Sequence, residues 1–557
     1  MSETKPQCRW KIKDQIKDRY EIFDIKFGGM GVVYLCFDHV FKKPVVLKSL
    51  QDKYLTNKSL SDRFMWEAEI WVRLEKHQNI VRAEYINKID DLPYIFMEYI
   101  VGDEQYGSDL KGWIVNGGLD LARSINFGIQ FCSGMIYAAS KFKEMNRPFV
   151  YRDIKPSNLM VTREAVLKIT DFGLVKLSGV IDMSSRGTLQ RAPTEALSHD
   201  FEKTKIGSIM GTPPYMAPEQ WSGGDVDHRA DIYSFGCVLY EMIKGRPPFL
   251  CQSLSDYKFN HREADVPPLP NVPNIINLLI SRCLVKRKEA RYQSFNKIKE
   301  DLITIYQKIS AGSYVENDIN QSHDLEIWEL ENKGISLFNL GYKKEAINCY
   351  NEVIIKKPDY AQAYHDRGIA LKSLGQVSEA INDYDKAIQL KSDNSSAYYN
   401  RGIALHSMGK IKDAIKDFDS ALHYKPNYIK ALYNRAIACR ADGQYEKAVN
   451  DLTMVIDKNK KNAKAYYNRG ICNFALRRFE DAVEDYQAAL TINPGYCEAQ
   501  YNLCLTYLEM PKHILALSGF QQYIEMAHSV PSQKQWVEKA RAHIEVLVNK
   551  DSKEDED

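Results

Sequence analysis

Along residues 15–310, runs of apolar and β-branched residues such as GVVYLCF and YIFMEYI alternate with helical periodicities and Gly/Pro turns. That pattern predicts a mixed region of strands and helices. Beyond Ile327 the chain becomes helical and periodic. Gly341, Gly375, Gly409 and Gly443 stand 34 residues apart, with Arg477 in the next place. Gly334, Gly368, Gly402 and Gly470 share the period, with Ala436 in register. So do Ala346, Ala380, Ala414, Ala448 and Ala482, and the set Pro358, Pro426 and Pro494. Small residues at a fixed spacing suit helix pairs that approach closely, and proline suits the connection after a helix ends. Five clear units run from 327–360 through 463–496, and a degenerate sixth reaches residue 530. QKQWVEKARAHIEVLVNK then reads as an amphipathic helix covering the last exposed face within 531–557, ahead of a solvated acidic tail. Residues 311–326 are polar and read as a linker, and 1–14 as an N-terminal extension.

Composition narrows the class. The chain has 557 residues, too long for one core. A formal charge of +2 argues against a dedicated nucleic-acid binder. Eleven cysteines without a C-x-x-C pair suit a reducing cytosol better than a disulfide framework or zinc site. The opening MSETKPQCRWKIKD lacks the apolar core of a signal peptide, and no run approaches a membrane-spanning length. The expected location is cytoplasmic.

The 34-residue helix–turn–helix period resembles tetratricopeptide (TPR) repeats. The resemblance implies an all-α solenoid whose groove holds a protein or peptide partner. A basic series, Lys333, Arg367, Arg401, Arg435 and Arg469, follows the same period, and Asp383, Asp417, Asp451 and Asp485 answer it. Ion pairs within the repeats account for both series without a ligand. The family's grip on C-terminal carboxylates needs asparagine where Ile369, Ile403, Ile437 and Ile471 stand, so that ligand is not expected.

The first region carries another set of motifs: KFGGMGVVY, VVLK, RFMWEAEIWVRL, YRDIKPSNLM, DFG, GTPPYMAPE and DIYSFGCVLYEM, in that order. Together they resemble a two-lobed α+β protein kinase fold, of the bacterial-type, eukaryotic-like serine/threonine group. The resemblance implies ATP and Mg²⁺, with Mn²⁺ able to take its place. It assigns Gly28, Gly29 and Gly31 to a phosphate-cradling hairpin, Lys48 to the α/β-phosphates and Glu67 to pairing with that lysine. Ile25, Lys26, Val33, Val46, Met97 (the gatekeeper), Glu98 and Met160 complete the expected nucleotide site. Asp153 is the expected base and Lys155 the expected partner of the γ-phosphate, while Asn158 and Asp171 are the expected metal ligands. Glu219 is expected to pair with Arg291, and Asp231 to brace the catalytic loop from beneath.

Three positions depart from the family pattern. Tyr151 stands where histidine is usual, in a packing role beside Phe172, Trp71 and Ala83. Lys26 replaces the first glycine; its side chain either points to solvent or adds charge near the phosphates. Val46 narrows the adenine pocket relative to alanine. Between Asp171 and Glu219, Ser184, Ser185, Thr188, Thr194, Ser198, Thr204 and Ser208 are candidate phosphate acceptors, with Arg152 placed to receive such a phosphate, or else hydroxyls of a loop without that role. Thr204 and Ser208 are the better candidates, and Thr212 is expected to contact Asp153 and Lys155. The resulting expectation is an ATP-dependent serine/threonine kinase with repeats that recruit or sense a partner, and with self-association for trans-autophosphorylation. The alternative is a catalytically weak kinase-fold scaffold whose repeats bind proteins.

Overall fold

The computed structural model describes residues 9–28, 31–55, 57–90, 92–172, 212–222, 226–310, 325–528 and 530–554. The chain forms two compact units, 1–342 and 343–557. This division falls inside the first predicted repeat rather than in the linker.

The first unit opens on an antiparallel sheet of β1 (Gln15–Ile16), β2 (Tyr20–Phe27), β3 (Gly31–Asp38), β4 (Lys43–Leu50), β5 (Ala83–Ile89) and β6 (Leu92–Glu98). Its order is β1-β2-β3-β4-β6-β5, which leaves β5 on an edge. One sheet face carries a buried cluster that includes Tyr34, Leu47, Tyr94 and Phe96. Helix α1 (Lys58–Leu74) joins β4 to β5, started by Asn57, whose side chain accepts from the Leu60 amide at 3.1 Å.

The larger, helical part of this unit is built on α2 (Leu110–Val115) and α3 (Leu121–Glu144). A helix at His228–Lys244 is buried on every side from Ala230 to Met242. Such a helix can only be a core element. The small hairpin of β7 (Leu159–Val161) and β8 (Leu167–Ile169) carries the segment that leads to DFG. Arg291 locks this part: it is fully buried and forms two bonds to Glu219 at 2.7 and 2.8 Å. Its remaining donors reach the carbonyls of Val285, Arg229 and Lys286, so all five N–H groups are used.

The second unit is a run of paired helices. From Ala361–Ser373 with Val377–Leu390 to Cys497–Glu509 with His513–Ala527, they fall in the predicted periods, and Lys534–Glu554 follows. Gly375, Gly409 and Gly443 adopt left-handed φ of 84, 75 and 78° where first helices end, and Arg477 takes 58° at the same place. A Cβ on Gly368, Gly402 or Gly470 would come within 2.7–2.8 Å of the ring of Tyr384, Phe418 or Tyr486. Where alanine replaces the glycine, at Ala436, the facing residue is the smaller Leu452. Among the described residues, no helix is long and apolar enough to cross a membrane.

The basic series is spent inside this unit. Arg367, Arg401 and Arg435 each grip the aspartate sixteen residues on through two bonds of 2.6–2.8 Å. Arg469 grips Asp485 likewise at 2.7–3.1 Å. Each also reaches back to the preceding repeat, at Asn351, Asp385, Asp419 and Thr453. Lys333 does not join the series; its position sixteen residues on is Cys349.

Candidate active site

The glycine hairpin between β2 and β3 is braced by the residue that follows β4. Gly28 N–H donates to Gly31 O at 3.0 Å, and the buried Gln51 donates its Nε2 to Gly28 O at 2.8 Å and Gly31 O at 3.2 Å. Nothing in the motif pointed to Gln51; only the folded hairpin brings it there. Gly29 lies outside the described residues.

Strand register decides which side chains share the face below the hairpin, since directly opposed residues point the same way. Val33 opposes Lys48, and Val46 opposes Met97. Lys26 opposes Val33 and is exposed. Ile25 opposes Tyr34 and packs against the cluster on the other face. The structure therefore does not bring Ile25 together with Val33, Val46 and Lys48. Glu98 accepts on its side chain from Arg82 N–H at 2.7 Å and Lys168 Nζ at 2.8 Å, and its own N–H donates to Arg82 O at 2.9 Å, so its side chain and its N–H are both committed. Met160, in β7, is half-buried and bridges to Asp109.

Lys48 reaches Glu67 of α1 at 2.5 Å and Asp171 at 3.0 Å. Burial works against its charge, but Glu67 and Asp171 outweigh it and hold the ammonium protonated. Trp71, one turn along α1, donates Nε1 to Glu67 at 3.4 Å and meets the Phe172 ring edge-on at 4.9 Å.

Asp153 is nearly buried and held on both oxygens. Thr212 donates to Oδ1 at 2.9 Å; Lys155 and Asn158 donate to Oδ2 at 2.6 and 3.0 Å. Asn158 also donates to the Asp153 carbonyl at 3.0 Å, so its nitrogen is committed and its amide oxygen remains the ligating atom. Asp231 accepts from the amides of Tyr151 and Arg152 at 2.8 Å each, fixing Arg152 at a left-handed φ of 72°. Burial lifts the Asp231 carboxyl to about 6 against those two amides. Tyr151 is fully buried, with its ring edge-on to Phe172 at 5.2 Å and its hydroxyl donating to Thr170 O. The proposed stack of Tyr151, Phe172 and Trp71 is therefore contiguous through Phe172, and Trp71 and Ala83 line one small cavity.

Asn158 and Asp171 fit a Mg²⁺ ion: both are oxygen ligands, and Asp171 is 45% exposed beside Lys48. Mg²⁺ is commonly held by one or two such groups with water and phosphate completing the shell. The arrangement thus offers a cation for phosphates, a carboxylate aimed by three donors, and hard ligands for a divalent ion. Ser184, Ser185, Thr188, Thr194, Ser198, Thr204 and Ser208 lie outside the described residues.

A protein kinase domain family matches residues 24–303. Tetratricopeptide repeat families match 370–409, and 395–428 with 463–496. The chain is similar to a probable serine/threonine-protein kinase of Clostridium acetobutylicum, 30% identical over 324 residues, covering 57% of this chain and 44% of that protein. It is 30% identical to the serine/threonine-protein kinase PknB of Mycobacterium leprae over 301 residues, 52% of this chain and 43% of that one. It is 31% identical to the serine/threonine-protein kinase PrkC of Bacillus subtilis over 301 residues, 53% of this chain and 42% of that one. The chain spans less than half the length of these relatives.

Proposed function

We propose, since this chain belongs to the protein kinase family, that it transfers the γ-phosphoryl group of ATP to serine or threonine hydroxyls of proteins. Lys48 holds the α/β-phosphates, and Glu67 holds Lys48. Asp153 orients the acceptor hydroxyl and takes its proton as the new P–O bond forms and ADP leaves. Lys155 steadies the transferred group. Asn158 and Asp171 would hold Mg²⁺, or Mn²⁺ in its place, which when bound neutralises charge on the phosphates. Val33, Val46, Met97, Met160 and the Glu98 carbonyl form the adenine side.

The observation that carries this reading is Asp153, with each carboxylate oxygen held by its own donors. The repeats bind a protein or peptide partner, through surfaces other than the arginine series, which is already paired. The free thiols of the described cysteines support a reducing, cytoplasmic setting. Incubation with γ-labelled ATP and Mg²⁺, followed by phosphoamino-acid analysis, tests the reading. Label on serine or threonine is expected; label on tyrosine alone, or none, contradicts it.

A further inference from the structure

Ile327–Leu340, the first helix of the repeat series by sequence, is folded into the unit that holds the site. It lies against α1 and the sheet-edge strand β5. An edge strand presents backbone donors and acceptors that need covering. Here Ile86 N–H donates to Ser336 Oγ at 2.8 Å, and Asn339 Nδ2 donates to Ile86 O at 3.1 Å. Ser336 gives its own proton to Asn332 O at 2.7 Å, which leaves its oxygen to accept. Lys333 pairs at 2.6 Å with Glu75, the residue that ends α1 with a left-handed φ of 52°. Trp328 stacks on Arg82 at 5.0 Å, and Glu329 lies 3.5 Å from the same arginine.

The sequence agrees independently. In later repeats the place of Glu329 is taken by the buried alanines 363, 397, 431 and 465, and that of Ser336 by the buried alanines 370, 404 and 438. Lys333 has lost its repeat partner, because Cys349 stands where the others have aspartate. The residues that depart from the repeat pattern are those that grip the sheet edge and α1. This helix is written for the lobe, not for the solenoid.

The line of contact continues to the site. Lys333, Ser336 and Trp71 line one small cavity, and Trp71 bonds Glu67 and packs on Phe172. We propose that Ile327–Leu340 clamps α1 and β5 so that Glu67 stays paired with Lys48, making Lys333, Ser336 and Asn339 positioning residues for phosphoryl transfer. This rests on the kinase reading above. It also means that removing the whole repeat region would lower activity for a reason other than lost recruitment.

The test uses the full chain. The double variant Ser336→Ala/Asn339→Ala is compared with wild type by amide exchange at Ile86 and by steady-state transfer to a fixed acceptor peptide. Exchange at Ile86 should accelerate, and kcat should fall roughly tenfold with the peptide KM within about twofold. Lys333→Glu should lose activity similarly, and Glu75→Lys in the same chain should restore part of it, which a general loss of folding would not allow. An Ile86 amide that exchanges freely in wild type overturns the docking. Faster exchange with unchanged kcat overturns the positioning role. A wild type that transfers no phosphate sinks both the kinase reading and the positioning role, with the exchange data still deciding whether the helix docks.

Discussion

At the scale of single residues, Tyr151 shows how a motif position can change without disturbing the packing around it. The ring fills a closed site against Phe172, and the hydroxyl finds an acceptor at Thr170 O, so burial leaves no polar atom stranded. Asp231 beneath it has a measurable signature. With its carboxyl at about 6 when folded and about 4 when unfolded, the folded chain holds a proton between those values that the unfolded chain has released. The stabilisation from this group is therefore full below about pH 4 and is lost as pH rises through about 6. Denaturant titrations of wild type and Asp231→Asn across pH 4 to 7 should differ in slope by that component, amounting to about 3 kcal/mol in total. Parallel pH profiles would show that the carboxyl titrates near its ordinary value.

At the scale of elements, the repeats show a trade in volume. Glycine lets the tyrosine or phenylalanine ring of the second helix press against the first, and Ala436 is accommodated where leucine replaces the ring. Gly402→Ala should therefore destabilise the second unit by about 1–3 kcal/mol, and adding Phe418→Leu should recover part of the loss. Thermal melting checks both; a Gly402→Ala chain that melts like wild type would contradict the packing. Elements were also where sequence reading succeeded and stopped. The 34-residue period placed the solenoid helices, because each repeat solves the same packing problem with the same small residues. The order of motifs brought Lys48, Glu67, Asp153, Asn158 and Asp171 to one region. Ile25 could not be placed in this way: a register shift between Ile22 and Asp24 intervenes, and a shift of one residue exchanges the faces of a strand. Gln51, Ser336 and Asn339 carried no motif, since their roles exist only once a distant hairpin or strand edge is folded beside them.

At the scale of the whole molecule, the compact units divide at Tyr342 rather than in the linker, so the unit with the kinase domain has taken one helix from the array. A chain ending after Tyr342 should keep most of the transfer rate toward a small peptide, while one ending after Ser310 should lose it; equal rates would contradict this division. Phosphoryl transfer by this chain, as proposed, requires Asp153 to receive the acceptor's proton. The most direct measurement is the initial rate of transfer from γ-labelled ATP with Mg²⁺ by the full chain and by Asp153→Asn. Label on serine or threonine is expected in the wild type, with a fall of roughly a hundredfold or more in the variant. A variant that transfers phosphate at the wild-type rate would contradict that requirement.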